Sequence, residues 1–333
     1  MGTKIGKKIG KKMNVGKDTG TVAEIDAGID AGFDTQPDIG TGMSSVVLDC
    51  PSIGFLGPRG TFSQVALEKY AGDRPHKVRD YSTFMDMLMA VERGEIQEAV
   101  VPIENSLEGA INEILDIIAF DVDLVVKAEL AILVEQNLLT KPGVTLSTIT
   151  SVTSISQAIG QCRKFLGTKL PGVPVKLVYS TAQAAGEVAK GAPGHAAVGS
   201  LAAAREFGLS ILARGIQDGE NNITRFVVLG KESSKRTGHD KTSIVFSTED
   251  KPGSLYRILD IFSLWDVNMT RIESRPAKKR LGRYIFFVDV EGHIDDPDMK
   301  DALTMIMRKT SFYKFLGSYP RYDSEAENEG LRD

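Results

Sequence analysis

The stretch EAVVPIENSLEGAINEILDII, Glu98 to Ile118, contains the pattern that decides the fold. Its first part, EAVVPI, predicts a buried strand. Apolar residues then recur at helical spacing, namely Leu107, Ala110, Ile111, Ile114, Leu115 and Ile118. The same alternation of strand and helix continues from Ser52 to Leu229, which predicts an α/β fold with mostly parallel sheets. Long strands midway and near the end of this region predict two lobes with a cleft between them.

Changes in composition divide the chain into segments. Residues 1–50 begin with clustered lysines and continue with acids, glycines and small residues, which cannot bury enough apolar surface to offset chain entropy. We predict a disordered tail there, with a charged docking arm as the alternative. Residues 51–230 form the two-lobed domain, 231–240 a polar linker, and 321–333 an acidic tail. Residues 241–320 follow the order strand, helix, strand, strand, helix, strand, which predicts a ferredoxin-like βαββαβ domain.

The bulk properties argue against several classes of protein. The 333 residues have a formal net charge of −4, which gives no reason to expect a nucleic-acid partner. No apolar run approaches the roughly 18 residues that span a bilayer, and the basic start has no secretory apolar segment after it. The two cysteines, Cys50 and Cys162, form neither a disulfide framework nor a metal site. We therefore expect a cytoplasmic protein, with Ala277–Arg283 as a solvated basic hairpin.

Three turns between a strand and a helix contain small polar side chains. They are GFLGPRGTFS with Thr61 and Ser63, VPIENSLEGA with Glu104, Asn105 and Ser106, and YSTAQAAGEVA with Ser180 and Thr181. Each turn alone is compatible with an ordinary helix cap. Helix starts also attract anions, and ligands bind at the carboxyl ends of strands in open α/β sheets. If the turns face one cleft, they predict a pocket of neutral donors for an anionic ligand.

The segment NNITRFVVL, Asn221 to Leu229, places four polar residues directly before and into an apolar strand. A turn needs one or two such residues, not hydroxyl, amide and guanidinium groups together. We therefore expect Asn222, Thr224 and Arg225 to lie where the strand faces an anionic substrate, with Phe226 packing behind them.

No metal or cofactor site is predicted. The four histidines are far apart in the sequence: His76, His195, His239 and His293. No His–Cys spacing typical of zinc and no GxxxxGK[ST] phosphate loop is present. No Ser-His-Asp arrangement can be argued, so covalent hydrolysis has little support.

Taken together, the motifs resemble the prephenate dehydratase family with a C-terminal ACT regulatory domain. The matching stretches are GFLGPRGTFS, VPIENSLEGAI, YSTAQAA, GIQDGENNITRFVVL, TEDKPGSLYRIL and RIESRPAKKRLGRYIFFVDVEG. The resemblance covers about Ser52 to Tyr319 and implies a two-lobed catalytic domain like periplasmic binding proteins of type II. It also implies conversion of prephenate to phenylpyruvate, water and carbon dioxide without a cofactor. One departure is Ile155-Ser156, where the family often has His-Pro.

The resemblance implies roles for individual residues. Thr224 matches the catalytic threonine, and we expect it to donate a hydrogen bond or a proton to the departing ring hydroxyl. Asn105 matches a residue of the substrate site. Arg225 is expected either to fix a substrate carboxylate or to buttress its loop. Further substrate contacts are expected from Thr61, Ser63, Glu104, Ser106, Ser180, Thr181, Asn222 and Phe226.

The second domain is expected to bind L-phenylalanine. In the resembling family, stretches that match DKPGSLYRIL and ESRP build a phenylalanine site between paired ACT domains. The residues matched here are Gly253, Ser254, Leu255, Glu273, Ser274, Arg275 and Pro276. The resemblance thus implies a homodimer or homotetramer with feedback inhibition by phenylalanine.

Two other functions fit parts of the sequence. An arogenate dehydratase would differ only in accepting an amino group in place of the keto oxygen of prephenate. A non-catalytic amino-acid sensor would use the same polar clusters for binding alone. Residues 1–50 are too short and too glycine-rich for the helical chorismate mutase domain of some relatives, so we expect a monofunctional dehydratase.

Overall fold

The computed structural model describes residues 50–219, 221–278 and 283–323. The predicted N-terminal tail therefore lies outside the described residues except for Cys50. The predicted acidic tail lies outside them from residue 324 onward. Residues 279–282 of the predicted basic hairpin also lie outside the described ranges.

The region up to Gly230 alternates strands and helices, as predicted. Its strands are β1 (Ser52–Leu56), β2 (Lys77–Tyr81), β3 (Glu98–Asn105), β4 (Gly109–Ala110), β5 (Val125–Leu133), β6 (Asn137–Thr140), β7 (Ser151–Ser154), β8 (Val175–Leu177), β9 (His195–Gly199), β10 (Ser210–Ala213) and β11 (Ile223–Gly230). Its helices are α1 (Phe62–Ala71), α2 (Phe84–Glu92), α3 (Asn112–Phe120), α4 (Ser156–Gln161), α5 (Arg163–Lys169), α6 (Thr181–Lys190) and α7 (Leu201–Glu206).

Two sheets form two lobes. The first has the order β2-β1-β3-β11-β5, with β4 paired to β3, and the second has the order β10-β6-β9-β7-β8. Only β2-β1-β3 and β9-β7-β8 are parallel. Strand β11 runs antiparallel to both neighbours, and β6 runs antiparallel to β9 and β10. The prediction of mostly parallel sheets is therefore wrong for the strands that connect the lobes, because the chain reverses when it crosses between them.

The chain crosses between the lobes twice. It leaves the first sheet after β5 to enter β6, and returns after β10 to enter β11. The returning strand β11 lies centrally in the first sheet, between β3 and β5. Its first residues, which contain the Asn-Ile-Thr-Arg motif, consequently lie at the cleft.

The helix predicted from Leu107 begins five residues later, at Asn112. The side-chain oxygen of Asn105 accepts hydrogen bonds from the backbone N–H groups of Leu107 and Glu108, at 3.0 and 3.1 Å. This closes a turn after β3, and β4 then pairs back onto β3. As a result Leu107 is 59% exposed and does not belong to the buried face of α3. Its helical spacing from the later apolar residues is coincidental.

The C-terminal domain has the predicted βαββαβ order. Its elements are β12 (Asp240–Ser247), α8 (Ser254–Leu264), β13 (Met269–Pro276), β14 (Tyr284–Glu291), α9 (Pro297–Lys309) and β15 (Phe312–Pro320). The strands form one antiparallel sheet in the order β13-β14-β12-β15. The longest described helix is α9 with 13 residues, and no helix in the described ranges has the length and apolar character that crossing a membrane requires.

Strand β12 of this C-terminal sheet is buried on both faces. Alternate residues of a strand point to opposite faces, so Ile244 and Phe246 of β12 pack with α8 and α9. Val245 between them belongs to a core that includes Leu115 and Val227 of the first lobe. The C-terminal domain therefore shares a hydrophobic core with the lobe that contains β11.

At Gly317 the backbone of β15 lies directly against the backbone of β5 in the first lobe. This glycine has φ of +129°, and a Cβ atom placed on it would lie 2.5 Å from the carbonyl oxygen of Val126 in β5. Only glycine combines this backbone conformation with so short a distance between two backbones. The sequence motif FLGSY thus contains a packing requirement that the strand pattern does not reveal.

We predict that Gly317→Ala lowers the free energy of unfolding by about 1–3 kcal/mol, because the added methyl group collides with the Val126 backbone. Gly172→Ala is the matched control, since Gly172 also has a positive φ but a Cβ atom there would meet nothing within 4 Å. Chemical denaturation of both variants checks the prediction. Equal losses in the two variants would show that backbone strain, not the contact with β5, is responsible.

Candidate active site

A cavity of about 480 Å³ lies between the two lobes. Its lining residues are Leu56, Thr61, Phe62, Ser63, Pro102, Asn105, Glu108, Ile111, Val134, Gln136, Ile155, Gln157, Ala158, Gln161, Tyr179, Ser180, Thr181, Asn222, Thr224 and Phe226. Four chain segments far apart in sequence therefore meet here: the turn after β1, the end of β3, helix α4, and the start of α6. The start of β11 completes the wall.

Most of the side chains expected at the site share this cavity. They are Thr61, Ser63, Asn105, Ser180, Thr181, Asn222, Thr224 and Phe226. The cleft that the sequence analysis required for its polar turns is thus present in the structure. Glu104, Ser106 and Arg225 do not line it.

The carboxamide of Asn105 has a fixed orientation. The two backbone N–H groups of Leu107 and Glu108 can only donate, so the atom that accepts from both must be the side-chain oxygen of Asn105. Its nitrogen Nδ2 must then face the cavity wall. There it donates to Oδ1 of Asn222 at 2.7 Å and to Oγ1 of Thr224 at 2.9 Å.

This orientation determines what the Thr224 hydroxyl can do. Its oxygen already accepts a hydrogen bond from Asn105, and among the described residues it donates to no acceptor. Thr224 is 9% exposed, and its hydroxyl lines the cavity. The hydroxyl proton therefore remains available to an acceptor inside the cavity.

The chain of amides continues into the second lobe. Since Asn222 presents its oxygen to Asn105, its nitrogen Nδ2 points the other way and donates to Oε1 of Gln161 at 3.1 Å. Gln136 Nε2 also donates to this oxygen, at 3.4 Å. Gln161 ends helix α4 of the second lobe, so a hydrogen-bonded chain links that lobe to Thr224.

The sequence analysis missed the glutamines. Gln157 and Gln161 are four residues apart on α4, so they project from one helix face into the cavity. That spacing was visible in the sequence, but without the fold nothing indicated that this face of α4 points to the cleft. Gln136 is buried, and its Oε1 has no hydrogen-bond partner among the described residues.

Two helix starts face the cavity but are capped differently. Ser180 caps α6, accepting a hydrogen bond from the backbone N–H of Gln183 at 2.9 Å. Thr61 occupies the N-cap position of α1, yet its hydroxyl donates to the carbonyl oxygen of Leu56 at 3.2 Å and makes no cap. Neither Thr61 nor Ser63 therefore caps α1. The start of α1 keeps unsatisfied N–H groups that can attract an anion.

The cavity contains a single carboxylate and, among the described residues, no Lys, Arg or His. The carboxylate is that of Glu108, an exposed residue whose side chain forms no hydrogen bond or ion pair within the described ranges.

Cys162 lies at the end of α4, where burial raises the pKa of its thiol to about 12, so it remains protonated. No group of three or more His, Cys, Asp and Glu that could hold a metal ion occurs in the described part of the chain.

The glycine-rich turn after β1 has a structural use that was not expected. Gly60 has φ of +86°, and a Cβ atom there would lie 2.9 Å from Cα of Ala203 in α7. The hydroxyl of Ser200 donates to the carbonyl oxygen of Gly60 at 2.7 Å. At this position the glycine permits the lobes to approach each other, rather than admitting a ligand. Ser200 forms this contact and does not line the cavity.

Ser106 stabilises the first residues of β11. Its hydroxyl donates to the carbonyl oxygen of Asn221 at 2.8 Å and accepts from the backbone N–H of Ile223 at 3.0 Å. It neither caps α3 nor lines the cavity. The structure thus places Ser106 behind the site, because the turn closed by Asn105 directs it toward the backbone of the neighbouring strand.

Arg225 points away from the cavity, because adjacent residues of a strand face opposite sides of the sheet. Its guanidinium lies 2.9 Å from Glu129 and 3.0 Å from Asp289, and its Nε lies 3.1 Å from Glu104. The Nε group is close to Glu104 but is not aligned for a hydrogen bond. The expectation that Arg225 fixes a substrate carboxylate does not fit this geometry, whereas a buttressing role does. Glu104 is displaced from the cavity for the same reason.

The predicted phenylalanine-site residues separate into two groups. Gly253, Ser254 and Leu255 line a cavity of about 230 Å³ at the start of α8. The ESRP residues Glu273, Ser274, Arg275 and Pro276 do not line it. Arg275 instead faces the first lobe, where its Nη2 donates to both carboxylate oxygens of Asp116 in α3, at 3.2 and 3.1 Å. In this chain Arg275 is therefore an interdomain contact.

Comparison with known proteins identifies the family. Residues 53–234 match the family model described as prephenate dehydratase, and residues 242–304 match that of the ACT domain. The chain belongs to the prephenate dehydratase family. The prephenate dehydratase of Mycobacterium bovis is 39% identical over 278 residues, which are 80% of this chain and 86% of that one. The bifunctional chorismate mutase/prephenate dehydratase of Aquifex aeolicus is 40% identical over 269 residues, which are 81% of this chain and 73% of that one.

Solved structures share the fold of this chain. Prephenate dehydratase from Arthrobacter aurescens in complex with L-Phe superposes with a TM-score of 0.76 at 37% identity, covering 81% of this chain and 90% of that one. A protein described as a quorum quenching acylase, GqqA, superposes with a TM-score of 0.75 at 29% identity, covering 82% and 99%. The two-lobed catalytic domain with a C-terminal ACT domain, predicted from the sequence, is confirmed.

Proposed function

We propose that this protein is a prephenate dehydratase that forms phenylpyruvate, water and carbon dioxide, and that Thr224 is its catalytic hydroxyl. The observation that supports this most directly is that the Thr224 hydroxyl lies in a residue of the cavity wall, accepts a hydrogen bond from Asn105, and donates to no acceptor among the described residues. The reaction requires a hydrogen-bond donor for the oxygen that leaves the ring. Positioned donation to developing negative charge is a large contribution to catalysis.

The second contribution to the proposed reaction is that the cavity binds prephenate without cationic side chains among the described residues. Prephenate has two carboxylates, and the cavity offers neutral hydroxyls, amides and the uncapped start of α1. Such donors hold an anion without forming a tight ion pair. The ring carboxylate loses its charge as carbon dioxide leaves, so a strong ion pair to it would stabilise the ground state more than the transition state. A cavity lined, among the described residues, without Lys, Arg or His suits this requirement.

Regulation is proposed at the ACT domain. We infer that L-phenylalanine binds in the cavity lined by Gly253, Ser254 and Leu255, as a feedback inhibitor of a cytoplasmic homo-oligomer. The complex of the Arthrobacter enzyme with L-Phe supports the choice of ligand. The cavity also contains Glu249 and Arg283, which provide charges of both signs for the ammonium and carboxylate groups of an amino acid.

We predict that Thr224→Ala reduces kcat for prephenate by at least about 100-fold, because the donor to the departing hydroxyl is lost. Thr224→Ser keeps a hydroxyl at the same position and should retain most of the activity. Phenylpyruvate absorbance gives kcat, and circular dichroism shows whether both variants fold. An alanine variant that turns over at a near-normal rate would remove Thr224 from the mechanism.

Asn105→Asp tests the orientation of the Thr224 hydroxyl. The substituted carboxylate still accepts from Leu107 and Glu108, so the turn is preserved, but its second oxygen cannot donate to Thr224. The Thr224 proton then turns to this oxygen, and we expect kcat to fall by about 100-fold. Asn112→Asp, at the exposed first residue of α3, introduces the same charge and should leave kcat within about twofold. A similar effect of both substitutions would mean that added charge alone is responsible.

Leu255→Ala tests the phenylalanine site. Leu255 and Leu259 are both partly buried against the ACT core on α8, but only Leu255 lines the cavity. We expect Leu255→Ala to raise the phenylalanine concentration for half-inhibition about tenfold, which corresponds to about 1.4 kcal/mol. Leu259→Ala should leave it nearly unchanged. Equal shifts would show that weakening of the ACT core, not loss of a ligand contact, changes the inhibition.

A further inference from the structure

We propose that Asp289 of the ACT domain is a positioning residue for Thr224 and acts on it through Arg225. This inference rests on the proposed catalytic role of Thr224. It concerns the side of β11 that faces away from the cavity.

Six buried or partly buried charges lie at the junction of the first lobe and the ACT domain, and we call them the interdomain charge cluster. Its members are Arg225, Lys241, Arg271, Glu104, Glu129 and Asp289. The three cations balance the three anions. Removal of any one leaves an uncompensated charge in a region of low solvent access.

Arg225 is the centre of this cluster. It contacts all three carboxylates. Its Nη1 donates to Glu129 at 2.9 Å, and its Nη2 donates to Asp289 at 3.0 Å and to Glu104 at 3.4 Å. Burial by itself lowers the pKa of Arg225, but Asp289 and the other surrounding oxygens raise it above its ordinary value, so the side chain stays charged. Only Asp289 of these carboxylates belongs to the ACT domain. Its Oδ1 also accepts a hydrogen bond from Ser243 at 2.6 Å, so the ACT sheet holds the carboxylate rigidly.

The strand register shows how this contact reaches the cavity. In the pairing of β11 with β3, Thr224 lies opposite Asn105 and Arg225 lies opposite Glu104. The register shifts immediately afterwards, because Phe226 lies opposite Pro102 and Ile103 is passed over. This shift interrupts the regular backbone pairing of β11 with β3. The pair that forms the 2.9 Å hydrogen bond to Thr224 lies beyond the interruption.

Two neighbouring pairs consequently hold the ends of β3 and β11 together. On the cavity side, Asn105 donates to Thr224, and on the ACT side, Glu104 pairs with Arg225, which Asp289 anchors. A shift of Arg225 would move Thr224, its covalent neighbour, relative to Asn105. Misplacement of a reacting group by about 1 Å can cost about 100-fold in rate, so a small shift has a measurable effect.

The principal test is Asp289→Asn, which removes the charge and keeps the shape. We expect kcat for prephenate, measured without phenylalanine, to fall at least tenfold while KM stays within about threefold, since Asp289 does not line the cavity. Asp116→Asn is the matched control, because Asp116 is another carboxylate paired across the same two domains, with Arg275. Its kcat should stay within twofold. A kcat within twofold of wild type for Asp289→Asn, or an equal fall in both variants, overturns the proposal.

A spectroscopic measurement separates positioning from general stability. The methyl resonance of Thr224 is assigned by its absence in Thr224→Ser. We expect this resonance to shift in Asp289→Asn and not in Asp116→Asn. A reduced kcat with an unshifted Thr224 methyl overturns the proposal, because the effect would then bypass Thr224.

Ser243→Ala keeps the test decisive if Asp289→Asn does not fold. It removes the hydroxyl that holds Asp289, together with the 2.6 Å hydrogen bond between that hydroxyl and Tyr319, and leaves all six charges in place. A smaller fall in kcat with a shift of the Thr224 methyl supports the proposal, and full activity in a folded Ser243→Ala overturns it. The proposed function fails separately: if Thr224→Ala retains normal turnover, Thr224 is not catalytic whatever the Asp289 variant shows.

Discussion

The orientation of one carboxamide, that of Asn105, is the constraint on which the cavity depends. Two backbone N–H groups fix its oxygen, and this fixes the direction of every hydrogen bond that follows, through Asn222 to Gln161 and separately to Thr224. Because the Thr224 hydroxyl accepts a hydrogen bond from Asn105, its own proton stays available to a different acceptor. Thr224 can therefore donate a hydrogen bond although, among the described residues, no ionisable side chain contacts its hydroxyl.

Strand β11 separates a nearly uncharged side of the first sheet from a highly charged one. The cavity side has neutral donors and one carboxylate, whereas the opposite side has three cations and three anions in contact. Strand geometry produces this division, because Thr224 and Arg225 are consecutive residues with side chains on opposite faces. A dianionic ligand is therefore kept from strong ion pairs, while the charges that stabilise the domain junction lie within one residue of the cavity.

The ACT domain is part of the structural support of the catalytic lobe. Its strand β12 buries one face against the helices of the domain and the other against the first lobe, and Gly317 brings the two backbones together. Lys314 of β15 also donates to the carbonyl oxygens of Ile118 and Val122 at the end of α3. Contacts of this kind tie movement in the ACT domain to α3 and β11, two elements that adjoin the cavity.

The sequence by itself determined the α/β alternation, the βαββαβ domain and the polar turns at strand ends, because periodicity and turn chemistry are local properties. It also indicated Asn105 and Thr224. Only the tertiary structure decided which neighbour faces which side: Thr224 the cavity, but Arg225 and Glu104 the ACT domain. It also revealed Gln161 and the start of α3 at Asn112, since the hydrogen bonds that Leu107 and Glu108 donate to Asn105 override an apolar spacing that is typical of a helix. Which side each residue faces depends on contacts between residues that are 64 to 121 positions apart, which no local pattern encodes.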